Sequence, residues 1–345
     1  DFKTLGDNQL GRRQEEFPWQ SPATVAHSWG FHALEEQWKS TTTLLHSLIN
    51  NVSLNGNFML NIGPRANGDV PYEISHRLRE MGNWLAVNGE AIYGSQAFDL
   101  VKDQHDWGKI TCKKDTGSMT KLYLHVFNWP LNEKLPVTGI NGTPVRAYLL
   151  ADKQKSEIPF STNQVFTVLE LPEQQPDPYV SVVVLEYNHY PDTEDGLAAQ
   201  SVYGGYSLKP SDAINLDGDR LVENAQRFGS IPAHIEVSKK STYQWRIYID
   251  KPMSFFTDVS YNYQGEMGKG TVTVKSAGVL LSVPVQPTGR YVGEPNREWH
   301  IDSFNAHRIG KLIFSESGYY DIILEVDPAK NETIDFQWLW LGEVL

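Results

Sequence analysis

At 345 residues the chain is too long for one ordinary domain and can bury a sizeable core without covalent staples. A formal net charge of −12, with Lys and Arg scattered, excludes nucleic acid or an anionic membrane as the main partner. A single cysteine, Cys112, excludes an internal disulfide and any multi-cysteine metal site.

The first hundred residues mix helix and strand. Residues 1–19 are polar and irregular, with Gly6, Gly11 and Pro18. Trp38, Leu44, Leu45, Leu48 and Ile49 recur at helical spacing and predict a helix over 35–50. After Gly56 comes an apolar run that predicts a buried strand over 57–62, stopped by Gly63 and Pro64. Such a run suits a strand that crosses a closed core and ends at a site. Ile74, Leu78, Met81, Trp84 and Leu85 form one stripe of a second helix over 71–88, with Pro71 in its first turn and Gly89 as its stop. Helix, buried strand, helix is the grammar of a parallel sheet or barrel. One such repeat cannot bury both faces of its strand, so 1–98 must pack against the sandwiches or against something outside this sequence, and the latter is expected.

Beyond Gly94 the pattern turns to short strands: 107–113, 121–128, 145–151, 165–171 and 179–187. The segment 188–196 is polar, acidic and contains Pro, and reads as a linker. A second set of strands follows: 243–249, 253–261, 270–274, 280–285, 308–314, 319–325 and 333–340. Two antiparallel β-sandwiches are expected, over 99–190 and 198–345.

Four motifs carry a family resemblance. They are Trp19, then HSWGF (27–31), then NVSLNGNFMLNIGP (51–64), then GNWLAVNGEAIYG (82–94). Their order and spacing resemble the last part of the catalytic barrel of α-L-fucosidases of glycoside hydrolase family 29. The resemblance implies a multidomain fold: residues 1–98 as the C-terminal part of a (β/α)8-like barrel, with the two sandwiches after it. It implies a retaining exo-α-L-fucosidase that releases terminal L-fucose from oligosaccharides or glycoconjugates, without cofactor or metal. Its Asp nucleophile would lie on an N-terminal barrel portion that this chain lacks. A bacterial periplasmic or secreted setting is expected. The competing reading is a fucose-binding protein that has lost catalysis.

The resemblance also implies site residues. The family's acid/base Glu follows a D-[FY]-x-T segment by two residues, a place held here by Gly6. The acids of the same loop are Asp7, Glu15 and Glu16, one of which is expected to donate the proton. A charge run such as 12–16 is otherwise a solvated surface. Trp29 matches the aromatic that walls the C5 methyl of fucose, against the alternative of a core residue. Trp19 and Gln20 match the family's Trp-Glu pair with Gln for Glu, and the resemblance implies a sugar contact there. In the last module aromatics are abundant, as in carbohydrate-binding sandwiches. Strict alternation points Phe336, Trp338 and Trp340 inward, leaving Tyr248, beside Arg246, as the exposed candidate.

Overall fold

The computed structural model describes the chain except residues 1, 12–13, 16, 101–104, 115–118, 164–165, 195, 215–219, 223–233, 290–303 and 345, and the side chains of 220–222. The chain divides into two compact units. The first holds residues 1–101, 107–135 and 140–193; the second holds 102–106, 136–139 and 194–345. Among the described residues no helix is long and apolar enough to cross a membrane.

The first unit opens with three parallel strands in the order β1 (Lys3–Thr4), β2 (Trp19–Thr24), β3 (Gly56–Asn61). β2 contains Pro22, which hides it from a strand search. The Pro22 carbonyl accepts from Asn8 N–H, on the side away from β3, so its missing N–H lies where the β1 ladder has already ended. Between β2 and β3 runs α1 (Thr41–Val52), and α2 (Tyr72–Asn88) follows β3. The helix expected from residue 35 starts at Thr41, because Ser40 Oγ accepts from Thr43 N–H at 3.0 Å and caps it. Pro71 is the N-cap of α2, one residue before the first turn, and Gly89 is its C-cap, as expected.

Among the described residues β3 pairs with β2 alone and is an edge strand. Its Phe58 and Leu60 are partly buried, Leu60 against the helical core, while Asn57 and Met59 face solvent, Met59 with 46% of its surface exposed.

The helices do not lack a partner. An antiparallel sheet follows, built from β4 (Gln96–Ala97), β5 (Gly108–Lys114), β6 (Thr120–Val126), β8 (Arg146–Leu149) and β11 (Ser181–Tyr187) in the order β4-β5-β6-β11-β8. Leu44, Leu45 and Ile49 of α1 and Ile74, Met81 and Trp84 of α2 share one core with Tyr123, Tyr148, Val182 and Val184 of that sheet. Trp84 Nε1 donates to Val180 O at 2.8 Å, which pins α2 to it. β7 (Lys134–Thr138) is where the chain passes from one unit to the other, and β9 (Phe160–Asn163) pairs with β10 (Phe166–Glu170) in a hairpin. Cys112 is buried under this sheet, its thiol donating to Ala97 O and pushed up in pKa by desolvation.

His125 is completely buried beneath α2 and beside Trp84. Thr111 Oγ1 gives its proton to Ala91 O, so His125 Nε2–H must donate to Thr111 Oγ1 at 3.0 Å, and Nδ1 is left bare and unpartnered. Burial pushes the imidazole down to about 3 from an ordinary 6.5. The native state therefore refuses a proton that the unfolded chain accepts, so stability is full above the ordinary value and falls as pH drops toward about 3. His125→Asn should flatten this loss: the fall in melting temperature between neutral and acidic buffer should be smaller than in the parent. An equal fall in both would place the acid sensitivity elsewhere.

In the second unit two sheets enclose one apolar core. β12 (Tyr206–Leu208), β13 (Arg220–Val222), β14 (His234–Val237), β16 (Met253–Tyr263), β19 (Asn305–Phe314) and β21 (Ile334–Glu343) form the larger sheet, ordered β13-β14-β21-β16-β19 with β12 also on β21. β15 (Ser241–Ile249), β17 (Gly270–Ser276), β18 (Val279–Pro284) and β20 (Gly318–Pro328) form the smaller, ordered β15-β20-β17-β18. Tyr243, Trp245 and Ile247 point inward as alternation predicts. Trp338 and Trp340 do not. The register of β21 against β16 slips between Ser260 and Tyr261, so Gln337 has no partner of its own. That extra residue reverses the parity. Phe336, Leu339 and Leu341 are buried, and both tryptophans turn to the outer face, partly exposed.

Candidate active site

Because β1, β2 and β3 are parallel, their C-terminal ends lie along one edge, where α/β proteins place their sites. The chain leaves β1 through Gly6, Asp7 and Asn8, leaves β2 toward Trp29, and leaves β3 through Ile62 and Gly63. Asp7 is exposed in a turn whose next residue, Asn8, holds a left-handed φ of 56°. Asn8 joins the turn to β2: its N–H donates to Pro22 O at 2.9 Å and its Oδ1 accepts from Thr24 N–H at 3.2 Å. Lys39 Nζ reaches the same Oδ1 at 2.5 Å and Thr24 O at 2.8 Å. Burial pushes the Lys39 ammonium below its ordinary range.

Trp29, partly exposed, stands on a loop that is fastened from both sides. Asn61, the last residue of β3, donates from Nδ2 to Trp29 O at 2.6 Å. Gly63 must be glycine, since a Cβ there would lie 2.8 Å from the Gly30 carbonyl carbon and 2.9 Å from Phe31 N. From the far side Glu35 accepts from Ser28 N–H at 3.0 Å and Gln37 N–H at 2.8 Å, and these bonds hold its carboxyl below the usual range. Arg65 lies over the Phe31 ring at 5.7 Å. The strand ends in Asn-x-Gly-Pro, and its Asn61 and Gly63 clamp the Trp29 loop.

Asn61→Ala should release that clamp at a cost of about 1 kcal/mol in stability. The informative readout is protease cleavage within 27–37, expected to accelerate several-fold relative to cleavage elsewhere. Unchanged cleavage would show that Glu35 alone suffices.

The other site residues expected from sequence are placed elsewhere. Trp19 is 1% exposed, its Nε1 donates to Leu54 O at 3.1 Å, and its ring fills the space above Gly11 and Gly56. It is a packing residue with no surface for a sugar. Gln20 is the second residue of β2, with Nε2 3.4 Å from Thr4 Oγ1, and stands about four residues, or ~13 Å, from the C-terminal edge. Glu15 corrects the reading of the acidic loop. After Asn8 the chain doubles back along the sheet: Gln9 O accepts from Ser21 Oγ, Gly11 is bonded by Asn50 and Asn51, and Gln14 donates to Phe98 O. Glu15 thereby arrives before the start of β2 and pairs with Lys3 Nζ at 2.6 Å. It lies at the N-terminal edge, a strand's length from Trp29. Glu16 lies outside the described residues. Among the described residues expected at the site, Asp7 and Trp29 stand on loops that leave the same edge of the parallel sheet. Sequence reasoning missed their supports, Asn8, Lys39, Glu35 and Asn61. Glu35 was absorbed into a helix, whereas Asn61 was visible in the strand-ending motif. Asn51, buried and bonded to Gly11 and Asn57, is no glycosylation acceptor although it heads an Asn-Val-Ser triplet. Among the described residues no three His, Cys, Asp or Glu side chains gather as metal ligands.

The α-L-fucosidase family model matches residues 1–90. An α-L-fucosidase of Dictyostelium discoideum is 28% identical over 186 residues, covering 52% of this chain and 39% of the relative. A plasma α-L-fucosidase of Rattus norvegicus is 33% identical over 135 residues, covering 37% and 29%. The chain therefore spans well under half the length of these relatives. Among solved structures, an α-L-fucosidase from Vibrio sp. strain EJY3 superposes with a TM-score of 0.67 at 23% identity, over 98% of this chain and 57% of that one, so both units share its fold. The matched residues 1–90 include the strands and loops that carry Asp7, Trp29 and Asn61, and over them the chain is similar to the α-L-fucosidase family.

Proposed function

We propose that this chain contributes one side of the active site of a retaining exo-α-L-fucosidase. In this reading β1–β3 with α1 and α2 close a (β/α)8-like barrel, and two antiparallel sandwiches follow it. The observation that carries the proposal is the shared edge: an exposed carboxylate, Asp7, and Trp29, whose backbone carbonyl is clamped, past the C-terminal ends of adjacent parallel strands. L-Fucose is a 6-deoxy sugar, and its methyl needs an apolar wall, which an indole supplies. Asp7 is the proton donor to the leaving oxygen in the first step, and the base that takes a proton from water in the second. Retention requires a second carboxylate on the opposite face of the sugar, about 5 Å away, to form the glycosyl intermediate. Two such groups come from different strand ends, so the nucleophile is assigned to a segment outside these residues. The substrate class is a terminal fucosyl group on an oligosaccharide or glycoconjugate.

The test is the stereochemistry and the pocket together. The enzyme should release L-fucose from an aryl α-L-fucoside with the α-anomer appearing first by NMR. Trp29→Ala should weaken fucose as an inhibitor by ~1–3 kcal/mol, the scale of a lost buried apolar contact. A β-anomer product, or an unchanged fucose inhibition constant in the variant, would sink the assignment.

A further inference from the structure

The parity reversal at Gln337 has placed two tryptophans on the outer face of the larger sheet in the second unit. Trp338 and Trp340 are about 7 Å apart along β21, on the same side. A fold gains nothing in stability from turning indoles out of a core, and bulges commonly re-aim side chains at functional surfaces. The indole N–H groups of Trp19, Trp84, Trp129 and Trp245 each donate to a backbone carbonyl. Among the described residues those of Trp338 and Trp340 have no such partner.

The Trp340 ring is also given room to lie down. Gly342 follows it on the same face, and a Cβ there would come within 2.9 Å of Trp340 Nε1. Gly205, on the neighbouring β12 side with φ 70°, would bring a Cβ within 3.3 Å of the same ring. With both positions bare the indole can rest on the sheet and show its other face to solvent. Around it stand polar groups in a fixed array. Asp258 is the register partner of Trp340 and of Arg308, which it binds through two bonds of 2.9 and 3.0 Å. Arg308 in turn lies over the Phe256 ring at 4.2 Å. Ser260 Oγ, opposite Trp338, donates to Gln337 Oε1 at 2.7 Å.

We propose that this face, centred on Trp338 and Trp340, is a binding platform for a neutral glycan. Pyranose rings have an apolar C–H face that stacks on flat aromatic rings, and hydroxyls at their rim that need donors and acceptors. The two free indole N–H groups, the Asp258–Arg308 pair and the Ser260–Gln337 pair supply both kinds. Asp258 and Arg308 cancel each other's charge, and the chain as a whole, with a net charge of −12, repels a polyanion. The apolar surface is two indoles interrupted by polar side chains, unlike the continuous apolar centre of a stable protein interface. The choice of fucosylated probes below rests on the fucosidase reading; the platform itself does not.

The experiment is affinity electrophoresis and titration of the intact protein with fucosylated xyloglucan, a neutral polysaccharide. The expected result is retardation of the parent, a roughly tenfold weakening in Trp338→Ala and in Trp340→Ala, and partial recovery in Trp340→Tyr. Gly342→Ala should also weaken binding by pressing on the indole, which keeps the test open if an alanine variant folds poorly. Tyr319→Ala on the smaller sheet should bind as the parent does. No retardation of the parent, or loss in the Tyr319 variant with none in the Trp338 and Trp340 variants, overturns the platform. If the protein fails to hydrolyse an aryl fucoside yet is retarded through Trp340, the fucosidase reading falls and the platform stands.

Discussion

Asp7→Asn should slow hydrolysis of a natural fucoside by about 10²–10⁴-fold, the range of a lost general acid. Three features of the variant separate this from a loss of folding. Fucosyl fluoride, whose leaving group needs little protonation, should be hydrolysed at a rate much nearer the parent's. Azide should partly restore turnover of an activated aryl fucoside by replacing the water that needs a base in the second step. The substitution is isosteric and the residue is exposed, so the melting temperature should move little. Glu15→Gln is the internal control. Its partner Lys3 is partly exposed, so losing the ion pair should cost no more than about 1 kcal/mol and leave kcat alone. If Glu16→Gln abolishes activity on the natural fucoside while Asp7→Asn retains it, the proton donor is Glu16 and not Asp7.

Trp19→Ala should be the most damaging core substitution in the parallel sheet. The ring is fully enclosed, and its neighbours cannot collapse onto the void: Gly11 is tied by Asn50 and Asn51, and Gly56 by the β2–β3 ladder. Removing a buried Trp costs about 3–5 kcal/mol. For a unit of this size that lowers the melting temperature on the order of 10 °C. The reverse substitution should hurt too. A Cβ at Gly56 would fall 2.1 Å from the Trp19 ring, so Gly56→Ala must displace the indole or the strand. The pair should be strongly non-additive, because Trp19→Ala vacates the space that Gly56→Ala needs. A Trp19→Ala protein as stable as the parent would refute the packing role and reopen a part for this residue at the sugar.

Much of this arrangement could be read from residue patterns. The helices near 41–52 and 72–88, the strand near 56–61 and the long strands of the second unit follow from periodicity. What escaped had physical causes. β2 contains a proline that is harmless only because its neighbour strand has ended, a fact of pairing and not of local sequence. The start of α1 was set by a serine cap, and Glu35 was spent on a loop. The direction of Trp338 and Trp340 depended on one unpaired residue, and alternation counted from either end cannot reveal a bulge. At the site, the family motif named Trp29 but not the direction in which the acidic loop runs. Asp7 and Glu15 are eight residues apart, yet the loop turns back, so they end on opposite edges of the sheet.

The lone cysteine offers a way to watch the first unit open. The Cys112 thiol is buried, bonded to a carbonyl and held above its ordinary pKa, so it is almost entirely without thiolate and out of reach of reagents in the native state. With no second thiol to compete, every labelling event at neutral pH reports exposure of one residue on β5. Uptake of a maleimide therefore becomes a clock for opening events rather than a measure of surface chemistry. Labelling that tracks the cooperative melt would mean that β5 is released only with the whole unit. Labelling well below it would single out the short β4–β5 margin, where only Gln96 and Ala97 cover that strand's edge, as the seam that parts first.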